Sequence, residues 1–351
     1  VAICAYTAMM RVYLINNHHI LNDDSSALSD HKLVCVNGMM RTGSSALTRG
    51  LAALGVDLGA QIQKSEAIVN PTGFWEDAEI YDTLHSVYRA IGLGDHMSTS
   101  AQNIPASRWE RPKVRAIAQK LAGYVQRTLS HSESRIVAAK NPSIGRLMPF
   151  WLRMVELAKC EDWYILTIRA PAAVVKSCRR AWNFPDELSH ALWVQFTAGA
   201  IQAAAVGRPT IAIDYDRFMA DPSASLFRIA RWLKISPAPD IRTAVEAFST
   251  GFIRRDLQHF VGSSSATVPP LLQQLYTALH NASLSGIALN SEEFQSQWQS
   301  FAPDIAAFTR NLDALDKARQ KIFAKRLYWR GRSALKDTLA RAKARAAGRV
   351  K

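Results

Sequence analysis

The run from Val36 to Ala46, Val-Asn-Gly-Met-Met-Arg-Thr-Gly-Ser-Ser-Ala, closes the apolar stretch Leu33-Val34-Cys35-Val36 and opens a segment with Leu47, Leu51 and Leu54 at helical spacing. A strand, a short glycine-bearing loop and a helix in that order aim several backbone N–H groups, and the positive end of a helix dipole, at one small volume. That volume suits a phosphate or sulfate group. The nearest ATP-type pattern, GxxxxGK[ST], is matched by Gly38, Gly43 and Ser45, but Ser44 stands where the lysine that reaches the outer phosphates belongs. One cation remains, moved upstream to Arg41. The plainer alternative is a glycine-rich turn that only joins a strand to a helix.

A second group of chemistry-bearing residues runs from Tyr164 to Ser177. An apolar stretch ends in Arg169, Pro171 follows at a helix start, and Ser177 sits roughly two turns in. A guanidinium offers a planar fork to phosphate oxygens and a hydroxyl adds a donor without bulk, so Arg169 and Ser177 could grip one anion together. Otherwise Arg169 is an edge cation and Ser177 a helix residue beside Val174 and Cys178.

The elements that must position these groups follow from hydrophobic pattern. Four short apolar runs, at 33–36, 136–139, 164–168 and 210–213, read as buried parallel strands. Helical spacing occupies 46–54, 79–91, 114–129, 171–181, 188–205 and 223–233, so βαβ units and a sheet covered on both faces are expected. In such sheets the ligand lies outside the carboxyl ends of the strands, where Arg41, Lys140, Arg169 and Asp214 fall. Three cations around one crevice would make an anion site, although basic residues also end strands simply because solvent is near. The stretch 269–314 reads as helical and polar, an accessory layer.

Composition narrows the class. The chain of 351 residues carries four cysteines, Cys4, Cys35, Cys160 and Cys178, with no CxxC or metal-ligand spacing, which points to a reducing compartment and no structural metal. Residues 1–10 are uncharged but too few to cross a bilayer, which takes about twenty, so neither a membrane span nor a secretory signal is expected. Residues 1–31 read as a partly disordered N-terminal segment. The charge is uneven: residues 317–351 hold thirteen Lys or Arg against Asp337 alone, a net of +12 out of the whole-chain +14. With Ile322, Phe323, Leu327 and Trp329 in its first half, this tail could meet an anionic membrane surface, or it is a solvated helix.

Taken in order, the segment Gly38 to Arg49, the segment Asn70-Pro-Thr-Gly-Phe-Trp-Glu-Asp77, the pair Arg169 and Ser177, and Asp214-Tyr-Asp-Arg-Phe-Met-Ala-Asp-Pro222 resemble the bacterial branch of the PAPS-dependent sulfotransferases over residues 32–260. The resemblance implies an α/β, three-layer P-loop-like fold with a central parallel sheet, here followed by a helical C-terminal extension at 261–316 and the basic tail. It implies a donor, 3′-phosphoadenosine 5′-phosphosulfate (PAPS), leaving as PAP, with no metal. By position, Arg41, Thr42, Gly43, Ser44 and Ser45 match the 5′-phosphosulfate loop, and Arg169 with Ser177 matches the 3′-phosphate clamp. Glu76 is the implied general base, because carbohydrate and tyrosyl members use a glutamate on a segment after the loop helix; Glu66, Asp77 and His85 are its rivals. Lys140 would touch the sulfuryl oxygens. Tyr215 would stack near adenine or belong to the core, and Arg254 or Arg255 would help hold the 3′-phosphate or form a surface basic pair. Two departures stand out: Met40 where many members carry proline, and Asn141 where the family often has Lys-Asp-Pro.

The function expected is sulfuryl transfer to a hydroxyl or amine acceptor, a glycan or glycolipid head group being favoured. The protein is expected to be cytoplasmic, with peripheral contact at the inner membrane surface through residues 317–351 and no nucleic acid partner. The alternatives are an ATP-dependent P-loop phosphotransferase, disfavoured by Ser44, and a non-catalytic anion- or membrane-binding module driven by the tail.

Overall fold

Four strands, β1 (Lys32–Asn37), β2 (Ile136–Lys140), β3 (Glu161–Ile168) and β4 (Thr210–Asp214), pair in parallel in the order β2-β1-β3-β4. They belong to a computed structural model that describes residues 30–59, 61–63, 73–93, 104–253 and 268–312. The register sets Val36 opposite Lys140, Asn37 opposite Leu166, and Ile168 opposite Asp214, so all four carboxyl ends point the same way, with β3 and β4 reaching two residues beyond β1. Asp57 extends the β2 edge by one bridge to Val137.

The helices follow in chain order: α1 (Ser44–Ala53), α2 (Ala78–Ala90), α3 (Pro112–His131), α4 (Met148–Ala158), α5 (Pro171–Trp182), α6 (Asp186–Ala205), α7 (Tyr215–Ala220), α8 (Pro222–Leu233), α9 (Pro239–Ala247), α10 (Pro270–Ser285) and α11 (Glu292–Ser300). They cover both faces of the sheet. Alternate strand residues divide accordingly: Val34, Val36, Ile165, Ile211 and Ile213 pack with α1 and α8, whereas Leu33, Cys35, Val137, Tyr164 and Leu166 face the layer built by α2, α3, α4 and α6. Because both faces are buried, each strand reads as a continuous apolar run. The result is the three-layer α/β arrangement that the sequence pattern predicts.

Three helices escape the sequence reading, the six-residue α7 among them. In α4 only Arg153 and Glu156 break the apolar run, and Leu157 is exposed beside them, so the polar stripe is thin. α9 is the reverse, short and mostly exposed. The described part of the 261–316 segment closes one face of the sheet: Leu272, Leu275 and Leu279 of α10 share a core with Leu166, Ile168 and Ala212. Ser283 and Tyr276 of the same helix bond the Asp214 amide and carboxylate at 3.1 and 3.0 Å. The tail at 317–351 and residues 1–29 lie outside the described residues. Among those described, no helix is long and apolar enough to cross a membrane, and no three His, Cys, Asp or Glu residues cluster as metal ligands.

One buried acid near the start of β3 gives the fold a pH signature. Asp162 accepts the Tyr164 hydroxyl at 2.7 Å and lies 3.3 Å from Arg208. Burial raises its carboxyl above the ordinary value of 3.8, and the Arg208 charge only partly opposes this. The folded chain therefore holds this proton to a higher pH than the unfolded chain does. Its stabilising contribution is complete below the unfolded value and is lost as pH rises through the folded one. Asp162→Asn, which mimics the protonated form, is expected to match the wild type in urea midpoint near the acid end and to exceed it at neutral pH. Parallel urea titrations across that range check the sign.

Candidate active site

The loop between β1 and α1 is shaped by close approach to β3. At Gly38, with φ +126°, a Cβ would meet the Thr167 carbonyl oxygen at 2.5 Å. Thr42 donates its hydroxyl to Met39 O at 2.6 Å and lies 2.8 Å from the Thr167 hydroxyl. It is only 2 % exposed. Thr42 is expected among the donor-binding residues, yet its side chain faces inward and braces the loop instead. Arg41 adopts φ +70°, a left-handed conformation uncommon for a residue with a Cβ. Backbone held in such a region clusters at binding and catalytic sites.

Gly43 caps α1 at φ +86°, with the Tyr215 ring against it, so close that a Cβ would stand 2.1 Å from Cδ2. The Arg169 guanidinium lies over that ring, 4.3 Å from its centroid. Tyr215 thus links the glycine turn to Arg169, which places Arg169 and the loop on the same side of the sheet. It offers a ligand less open face than the adenine-stacking expectation assumes. Burial raises the Tyr215 hydroxyl above its usual range, with Arg169 pulling the other way.

At this end of the loop the cations converge. Arg41 donates Nε to Ser177 Oγ at 2.9 Å, Arg169 donates Nη1 to the Arg41 carbonyl at 3.3 Å, and Trp193 donates to the Arg169 carbonyl at 3.3 Å. Trp182 lies beneath the Arg41 guanidinium at 5.8 Å. Burial lowers Arg41 from its ordinary value; Cys178 opposes the shift and the neighbouring Arg169 charge reinforces it. Asp216 stands 4.0 Å from Arg169 Nε. Two part-desolvated guanidiniums beside one serine hydroxyl favour an anion.

The other end of the loop is neutralised. Lys140, at the carboxyl end of β2, donates to Glu76 Oε1 at 2.5 Å, to Phe74 O at 3.2 Å and to Ser45 Oγ at 3.5 Å. Asn141 donates Nδ2 to Glu76 Oε2 at 2.7 Å and accepts the Ser143 amide at 2.8 Å. Lys140, Asn141 and Glu76 are 5, 3 and 6 % exposed. Of the three cations expected around one crevice, Lys140 is thus paired with Glu76. The Ser143–Arg146 turn that follows is seated on α6, because Gly199 lets its helix reach Gly145 O, which a Cβ would meet at 2.5 Å.

Other predicted positions separate from this group. Asp77 caps α2 through the Ile80 amide at 3.0 Å and accepts the Tyr124 hydroxyl at 2.5 Å, a structural role. His85 packs on Tyr81, 4.4 Å between ring centroids. Asp214 caps α7 through the Arg217 amide. Ser44 is buried at the first turn of α1. Glu66, Arg254 and Arg255 lie outside the described residues. Sequence reasoning missed an aromatic wall beside Ser45, where Arg49 lies 5.3 Å from the Trp75 ring and 5.6 Å from that of Phe252. Trp75 itself has φ +55°. The run Gly73-Phe74-Trp75 before Glu76 carries the only advance signal for it.

No family model matches the chain, and no curated protein matches it. Among solved structures it is similar to the sulfotransferase domain of a Synechococcus olefin synthase, with 18 % identity over 73 % of this chain and 96 % of that one and a TM-score of 0.45. It is also similar to the sulfotransferase domain of the curacin biosynthetic pathway, with 13 % identity, 73 and 99 % coverage and a TM-score of 0.43. A third is sulfotransferase STF9 from Mycobacterium avium, with 14 % identity, 78 and 80 % coverage and a TM-score of 0.39.

Proposed function

We propose that the protein is a sulfotransferase that moves a sulfuryl group from PAPS to a hydroxyl or amine acceptor, a glycan or glycolipid head group being the favoured class. One observation carries this reading. The glycine loop joins two differently built polar groups, Arg41, Arg169 and Ser177 at one end and Ser45 with the Lys140–Glu76 pair at the other. A donor with separate phosphate and phosphosulfate groups needs two such places.

The chemistry follows from charge flow. The acceptor oxygen attacks sulfur in line, a new S–O bond forms, and the bond from sulfur to the bridging phosphate oxygen breaks with its electron pair passing to PAP. Loop amides, Ser45 and Arg41 face the charge developing on that oxygen. The acceptor proton goes to Glu76, and Lys140 stands where it would meet the sulfuryl oxygens. The wall of Trp75 and Phe252 is a candidate seat for a flat ring, in place of Tyr215.

Calorimetric titration with PAP, and separately with ATP and magnesium, tests the reading. PAP is expected to bind without metal, and Arg169→Ala with Ser177→Ala to weaken it roughly a hundredfold, since each charge-assisted hydrogen bond contributes about 1.5–3 kcal/mol. Normal PAP binding by that double variant would remove the clamp, and tight binding of ATP with magnesium alone would favour a phosphotransferase.

A further inference from the structure

We propose that the Lys140–Glu76 ion pair is a latch opened by the sulfuryl group of the donor, and that Asn141 is the positioning residue that holds Glu76 in place when it opens. The inference rests on the sulfotransferase reading of the site. In the closed state both carboxylate oxygens of Glu76 are engaged, one by an ammonium at 2.5 Å and one by an amide at 2.7 Å. Neither oxygen can then take up an acceptor hydroxyl without giving up a partner. The ammonium meanwhile spans three acceptors, and one of them, Ser45 Oγ, belongs to the loop. An anionic sulfuryl group seated beside Ser45 competes directly for Lys140.

Once Lys140 turns to that group, Glu76 keeps a single fixed partner. Glu76 Oε1 is then released toward the acceptor hydroxyl, so donor binding itself prepares the base. Asn141 suits this task because it is neutral. Its Oδ1 accepts from the Ser143 amide, which fixes the side-chain amide with its NH₂ toward Glu76. An aspartate here, as the related Lys-Asp-Pro pattern carries, would have no donor to offer Glu76 Oε2. The amide at 141 thus holds one oxygen of Glu76 and leaves the other to the acceptor.

The test uses the full chain and compares PAPS with PAP, which lacks the sulfuryl group; calorimetry reads affinity and initial rates read turnover. Glu76→Gln removes the competitor for Lys140, so it is expected to bind PAPS at least about threefold more tightly than the wild type while PAP affinity is unchanged. Asn141→Ala is expected to lower kcat at least about tenfold, with the affinity of both nucleotides within about twofold of the wild type. Equal changes for PAPS and PAP in Glu76→Gln overturn the latch and leave the sulfotransferase reading standing; wild-type kcat in Asn141→Ala overturns the role of Asn141; failure of the wild type to bind either nucleotide overturns the reading beneath both.

Discussion

Gly43→Ala is expected to weaken PAP binding by between about tenfold and a hundredfold in the wild type, and by clearly less in a Tyr215→Ala background, which already lacks the ring. Two costs meet at this position. With φ +86° the residue lies in the left-handed region, which costs a residue with a Cβ about 1–2 kcal/mol. The new methyl would also stand 2.1 and 2.7 Å from two Tyr215 ring carbons, so the ring must leave. Because Tyr215 is only half-buried it can swing outward and the chain still folds. The ring is, however, the platform on which Arg169 rests, and a cation over an aromatic face is worth about 0.5–2 kcal/mol. Moving it frees the guanidinium from the position that the clamp needs. In a Tyr215→Ala background the methyl has room and only the backbone cost remains. A double-mutant cycle on PAP affinity reads the coupling directly; strict additivity, within about 0.5 kcal/mol, would mean that the ring-on-glycine contact does not shape the site.

That cycle also shows which parts of this molecule are legible in the sequence. Gly43 and Gly38 stand out because the backbone there demands conformations or approaches that only glycine meets easily, and the spacing of such residues after an apolar run is enough to mark a loop. The strands are equally legible, since burial on both faces writes them as unbroken apolar runs. α6 shows the limit: residues from Ser189 to Ala204 are buried almost all round, so its face toward the Ser143–Arg146 turn cannot be read from periodicity. Side-chain partners are less legible still. Arg41 and Ser177 meet across 136 positions, and Lys140 and Glu76 across 64, distances at which pairing is decided by strand order rather than by local pattern. Lys140 therefore reads in the sequence as an unopposed cation, and Asn141 as an unexplained departure. Only the folded chain, which sets the Phe74–Glu76 segment against the end of β2, gives both residues their meaning.

Glu76→Gln is expected to lower turnover with a glycan acceptor by about 10²–10⁴-fold, the usual contribution of a positioned general base, while PAP affinity changes by less than about twofold. The separation of the two quantities matters. Glu76 bonds Lys140 and Asn141 but makes no contact with Arg41, Arg169 or Ser177, so the phosphate clamp should not register its loss. A glutamine there is isosteric yet cannot satisfy both neighbours. Its oxygen can accept from the ammonium or from the Asn141 amide, and its NH₂ then faces the other donor. One buried donor is left without a partner, a cost of about 1–3 kcal/mol that should appear as a lowered unfolding midpoint. Turnover must therefore be measured well below that midpoint, with the folded fraction checked by circular dichroism. A variant that is folded, binds PAP normally and still turns over at the wild-type rate would take the base role from Glu76. The remaining carboxylate candidate would then be Glu66, because Asp77 is committed to capping α2 and to the Tyr124 hydroxyl, and withdrawing it would cost the helix its start.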